Sequence, residues 1–323
     1  MNVVIDIVYA NLLSPMILFF ILGIIAVLVN SDLKVPEAFY TGYTMIILFT
    51  IGIKGGTELR SIPLSSVVIP MLTAILLSLI MLFIAYFVLK YIFKYSKVDS
   101  LATAAHYGSV SAVTFTAGIA FIEKMGVSYE SYISAILVVM EGPAIIVAII
   151  IYKMMNKNKA AETQIGAVVK EAFFGKSIFL LIGGIIIGMI AHEEGLLKIK
   201  PFFGDLFYGI LCIFLLHVGI VATQQIRNFK GIRFYSFAFA FVLPLIGGVL
   251  GVVVASLIGM SPGGAFMLGV LTASSSYIAA PAAISHSIPE ANAGLALGSS
   301  LGLTLPFNLV VGIPFYFWLA NNI

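Results

Sequence analysis

Three consecutive serines, Ser274, Ser275 and Ser276, stand inside the apolar stretch LGVLTASSSYIAAPAAISHS, which runs from Leu268 to Ser287. Thr272 precedes them, Tyr277 follows, and Pro281 falls within the run. A membrane span is expected here. In hydrocarbon every backbone polar group needs a partner, so a helix broken at such a point must line a protein-enclosed cavity. The break exposes N–H groups and the positive end of a helix dipole, which suits an anion. Carbonyls released by the break suit a cation. Gly108, Ser109 and Ser111 mark a second interruption, AAHYGSVSAVTFTAG, from Ala104 to Gly118. Small residues also let membrane helices approach closely, but three serines in a row with a proline fit a helix end better. Paired interruptions in two halves of a chain point to a secondary transporter.

Other residues could complete such a site. Glu141 is an acid well inside an apolar stretch, where a carboxylate is costly and a functional candidate by default. It could complete a cation site, take a proton, or pair with Lys54. Tyr277 could direct its hydroxyl into the cavity, or face lipid or packing partners. Asn308, two residues after Pro306, could lend its carbonyl to a cation or cap the proline kink. His106, just before the first serine motif, reads as a hydrogen-bonded core histidine or a proton relay. His192, His217 and His286 share no metal-ligand spacing, with each other or with His106. Cys212 lies in an apolar run and reads as a small core residue. Tyr316 and Trp318 read as an interfacial aromatic belt. No nucleophile–base pair, metal cluster or phosphate loop is present, so neither an enzyme nor a cofactor is expected.

The chain that must hold these residues has 323 of them, 61% hydrophobic and 10% charged. That composition excludes a soluble fold and indicates a polytopic membrane protein surrounded by lipid. Hydropathy places ten spans near residues 12–29, 39–56, 64–90, 99–122, 129–152, 177–191, 203–223, 234–258, 264–286 and 292–319. The N-terminus carries Asp6 and no early Lys or Arg, unlike a cleavable signal peptide. Of the 17 Lys and Arg, 12 fall on one side of the spans, which by the positive-inside rule puts both termini outside. The basic residues are a topology signal and give no reason to expect nucleic acid. The polar segment 154–175 is then cytoplasmic and divides the chain into 1–153 and 176–323.

The halves look alike. FTIGIKGGTELRS (Phe49–Ser61) resembles LHVGIVATQQIRN (Leu216–Asn228), with Gly52 on Gly219 and Arg60 on Arg227, each 167 residues apart. Pro143 falls near Pro306, and Ser109 and Ser275 sit at comparable places. Five spans is an odd number, so the second half enters the membrane from the opposite side. The expected fold class is an all-α membrane protein of ten helices, two inverted five-helix repeats with broken helices in spans 4 and 9.

GSVSAVTFTAG, SYESYISAILVVMEGPA and TASSSYIAAPAAISHSIPEANAGLALGSSLGLTLP resemble the sodium-dependent bicarbonate transporter (SbtA-like) family, as do LLSPMILFFILG and SDLKVPEAF. The resemblance covers essentially the whole chain in order. It implies that the crossed breaks of spans 4 and 9 hold bicarbonate and sodium, that the protein is a homotrimer, and that a PII-like cytoplasmic regulator binds. It implies sodium as the coupling ion and residence in the plasma (inner) membrane. Carried over, Gly108, Ser109 and Ser111 fall on the first serine motif, and Thr272, Ser274, Ser275 and Ser276 on the second. A sodium site is implied near Ser109, Ser276 and Glu141. Two departures matter. This chain has Tyr277 where the second motif usually has an aspartate, and Glu141 where the fifth span usually has one. The linker is also shorter than in typical cyanobacterial members. Two readings stay open beside bicarbonate uptake: proton- or sodium-coupled transport of another small organic anion, and a membrane sensor that binds a soluble regulator without transport.

Overall fold

The computed structural model describes residues 9–155, 176–228 and 234–323, apart from 10, 61 and 64. Residues 156–175 of the linker, Lys230, Arg233, Asp6 and the side chain of His286 lie outside the described set. Among the described residues the structure is helical. Six helical stretches are long and apolar enough to cross a membrane: Ser65–Ile92, Lys97–Lys124, Ile133–Met155, Glu193–Arg227, Phe237–Leu257 and Ala293–Ala320. Pro15–Leu28, Ile178–Ile190 and Pro262–Ala273 are shorter apolar helices.

Two groups of helices pack together. In the first, α1 (Pro15–Leu28), α2 (Glu37–Leu59), α8 (Lys176–Ile190) and α10 (Phe207–Asn228) form a scaffold. Its closest backbone approaches are made by glycine. A Cβ on Gly52 of α2 would lie 2.6 Å from the Leu181 carbonyl oxygen and 2.9 Å from Gly184 Cα on α8. Gly219 of α10 approaches the Phe20 backbone of α1 in the same way. Without side chains at these points the backbones touch, which recovers dispersion contact that lipid would otherwise supply. The helix ends are tied alike. Arg60, at the end of α2, donates to the Ala191 carbonyl beyond α8. Arg227, at the end of α10, donates to the Val27 carbonyl of α1 at 2.8 Å and to Asn30 Oδ1 at 3.1 Å.

The second group is a core. It holds α3 (Ser65–Phe87), α4 (Lys97–Gly108), α5 (Ala112–Lys124), α6 (Ile133–Glu141) and α7 (Pro143–Met155). A short amphipathic helix α9 (Glu193–Lys200) precedes α10 in the second half of the chain. The core continues with α11 (Phe234–Leu257), α12 (Pro262–Ala273), α13 (Ala279–Ser287) and α14 (Ala293–Leu297). From α14 the chain runs through π-helical turns, Gly298–Thr304 and Asn308–Gly312, to α15 (Ile313–Ala320). Pro306 removes one backbone donor between these turns, and π turns are where such a ladder is locally re-registered. The window spanning α4 and α5 is 94% buried, against 39–67% for the other candidate spans. The polar break it carries is thus enclosed by protein, as backbone in hydrocarbon requires.

Candidate functional site

Both expected breaks are present. The helix α4 ends at Gly108, Ser109 is extended (φ −95°, ψ 172°), and Ser111 caps α5 by accepting from Thr114 N at 3.1 Å. α12 ends at Ala273, Ser274 is extended (φ −79°, ψ 170°), and α13 resumes at Ala279. The Ser111 and Ser274 hydroxyls bond nearby backbone, Thr114 N and Leu271 O, an alternative to the helix ladder that favours a break.

The orphaned backbone groups find partners across the core. His106 O, which a continuous helix would use within α4–α5, accepts from Ser276 N at 2.8 Å. Ser276 O accepts from His106 Nδ1 at 2.7 Å; a carbonyl oxygen can only accept, so Nδ1 carries the proton. Ser111 N donates to Ser274 Oγ at 2.9 Å. Gly108 O accepts from Ser78 Oγ at 2.6 Å, and Ala273 O accepts from Asn308 Nδ2 at 2.9 Å. Ser276 Oγ accepts from Ala280 N, in the first turn of α13, at 3.1 Å. The two breaks are therefore stitched to each other, with His106 and Ser276 joined twice.

A cavity of about 20 Å³, room for about one water molecule, lies where this stitched core meets the scaffold. Thr44, Ile47 and Leu48 of α2 and Phe214 of α10 form one wall. Val110–Val113, Glu141 and Ser276–Ile278 form the other. Glu141 is 8% exposed, and its carboxylate has no hydrogen-bond partner among the described residues. Ser111 Oγ donates to Tyr277 OH at 3.2 Å, which leaves the phenol proton free for an acceptor. Ser111 and Tyr277 are each two residues beyond the paired serines Ser109 and Ser275. The N-termini of α5 and α13 begin beside this point, so helix-dipole ends that favour an anion meet a carboxylate that favours a cation.

Four of the residues singled out by sequence, Ser111, Ser276, Tyr277 and Glu141, line this cavity. The others are buried around it. Ser109 Oγ donates to the Glu141 carbonyl at 2.8 Å and so holds the acid's backbone. Ser274 Oγ bonds within its own turn, to Leu271 O at 2.7 Å, as Thr272 Oγ1 does to Leu268 O at 2.8 Å. Ser275 is buried in the break away from the cavity wall. A Cβ on Gly108 would lie 2.5 Å from Ala144 Cβ and 2.9 Å from Leu82 Cβ, so this glycine lets α4 close on α3 and α7.

Three expectations change. Asn308 neither faces the cavity nor caps the proline kink: its Nδ2 holds the end of α12, and its Oδ1 accepts from Tyr316 OH at 3.0 Å. Tyr316 is fully buried and shares its one phenol proton between Asn308 Oδ1 and Pro244 O, each 3.0 Å away, so it is a core tie and no part of an aromatic belt. Lys54 does not pair with Glu141. It lies six residues beyond Leu48, about 9 Å along α2, and its ammonium pairs with Glu123 at the end of α5. Tyr208 of α10 also donates to Glu123, and Tyr129 OH lies 3.0 Å from Lys54 Nζ and 3.3 Å from Glu123 Oε1.

This network, which sequence reading missed, borders a second cavity of about 540 Å³. Along α2, α5 and α10 alike, the residues of the large cavity follow directly on those of the small one: Thr50 and Ile51 after Leu48, Phe115 after Val113, Phe207 before Phe214. The large cavity lies on the side of the α2 C-terminus, largely apolar-walled, with the Lys54–Glu123 pair in its lining. The one available signal was an acid, Glu123, at the far end of a span. Among the described residues no three His, Cys, Asp or Glu side chains gather as metal ligands.

No curated protein matches the chain significantly. A family model does: that of the Na+-dependent bicarbonate transporter superfamily matches residues 15–321. Broken, buried helices meeting at a small polar cavity in an apolar helical protein fit that match, and the chain belongs to the Na+-dependent bicarbonate transporter superfamily, as a multi-pass membrane protein.

Proposed function

We propose that this protein couples inward sodium flow to uptake of a small anion, bicarbonate first among candidates, by alternating access. The observation that carries the reading is the pair of breaks, Ser109–Ser111 and Ser274–Ile278, stitched together and opening on one cavity against the scaffold. Tyr277, Ser111 and the N-termini of α5 and α13 would receive the anion. Glu141 would receive the sodium ion with neighbouring side-chain oxygens of the cavity wall. Lone in a buried wall, a carboxylate without donors is costly until a cation or proton meets it.

Ten spans in two inverted repeats, 1–153 and 176–323, fit the pairing of the scaffold. Gly52 and Gly219 make equivalent close approaches, and Arg60 and Arg227 tie equivalent helix ends. Such a repeat lets the core move against α1, α2, α8 and α10 and present the cavity to either side. Orientation follows the basic residues: termini outside, linker 154–175 cytoplasmic, in the plasma (inner) membrane. A homotrimer and a PII-like regulator follow the family resemblance.

Labelled bicarbonate uptake into proteoliposomes under an imposed sodium gradient tests this, with Ser111→Ala and Glu141→Gln as variants. Sodium-stimulated uptake lost in both supports the reading; uptake equal with and without sodium sinks it. The lone Glu141 carboxylate favours one second reading, proton coupling, which predicts uptake driven by a pH gradient without sodium.

A further inference from the structure

His106 does not line the cavity, yet it is tied to the second break twice, by its ring and by its own carbonyl. It is 2% exposed, and its two bonds to Ser276 run in opposite senses, ring N–H to carbonyl and carbonyl from N–H. That double tie removes the freedom of Ser276 to rotate. Ser276 in turn takes a first-turn N–H of α13 on Oγ and precedes Tyr277, whose hydroxyl meets Ser111. We infer that His106 is a positioning residue: it holds the breaks in register so that Ser276 and Tyr277 present themselves to the cavity opposite Glu141. Through them it sets the sodium and anion affinities while touching neither ion. The inference rests on the reading of the cavity as the transport site.

The proton on Nδ1 makes a specific demand. The Asn Nδ2 amide sits where the His Nδ1 does, one atom beyond Cγ, whereas the Gln amide reaches to the place of Nε2 and misses the Ser276 carbonyl. Leucine fills the space and leaves that carbonyl orphaned. In the intact protein in proteoliposomes, His106→Leu and His106→Gln should raise the half-saturating sodium concentration for bicarbonate uptake by about tenfold or more. His106→Asn should stay within about threefold of wild type. The sodium-induced rise in melting temperature of the purified protein should follow the same order, which a purely structural loss would not produce. Leu or Gln variants with wild-type sodium dependence, or an Asn variant as impaired as Gln, overturn the inference. If Leu prevents folding, the Asn and Gln pair decides. A wild-type protein that has neither sodium-stimulated uptake nor a sodium-induced melting shift sinks the site reading itself, a separate outcome.

Discussion

Glu141→Gln separates two roles that burial confounds. The carboxylate is 8% exposed and without a partner among the described residues, in a cavity with room for about one water. A sodium ion about 4 Å from it, at an effective dielectric of about 20, gains about 4 kcal/mol. Dehydration of ion and carboxylate offsets part of this, leaving about 2 kcal/mol, or about thirtyfold in affinity. Glutamine keeps the shape and one oxygen and removes the charge. In sodium-free choline buffer the variant sheds a buried, uncompensated acid, so it melts no lower than wild type. Adding sodium to about a hundred times the wild-type dissociation constant stabilises wild type by about 2.7 kcal/mol and the variant by under 1 kcal/mol. Melting curves of purified protein against sodium concentration read both quantities. An undiminished sodium shift refutes the placement of the cation, and a lower melting temperature in choline refutes the claim that the acid is unpaired.

Other changes follow from single contacts. Glu123→Gln weakens the tie from core to scaffold by about 1 kcal/mol, discounted because Lys54 and Glu123 side chains are 45% and 32% exposed; it should change the maximal uptake rate several-fold and leave half-saturating sodium alone, and the reverse pattern excludes the network as a moving contact. Gly108→Ala forces a methyl against Ala144 and Leu82, costs about 1–3 kcal/mol, and should lower the melting temperature with or without sodium. Tyr277→Phe removes the hydroxyl beside Ser111 and should raise half-saturating bicarbonate while keeping the sodium-induced melting shift; loss of that shift instead makes Tyr277 a cation ligand.

The sequence by itself determined what is local. Apolar runs specified membrane helices, because burial in hydrocarbon needs only composition and length. Ser109–Ser111 and Ser274–Ser276 specified breaks, because serine hydroxyls compete for the backbone within three or four residues. Gly52 and Gly219, and Arg60 and Arg227, could be paired by likeness along the chain, and each pair makes the same kind of contact. Direction was not legible. A span that is apolar all round carries no period to say which face meets protein, so Asn308 read as kink cap or cation ligand and Tyr316 as belt, yet they tie α12, α11 and α15 together. Lys54 found Glu123, 69 residues away, in place of Glu141, because reach along a helix set the partner. His106 and Ser276 meet across 170 residues, a separation over which only the packing of two helix pairs fixes who bonds to whom.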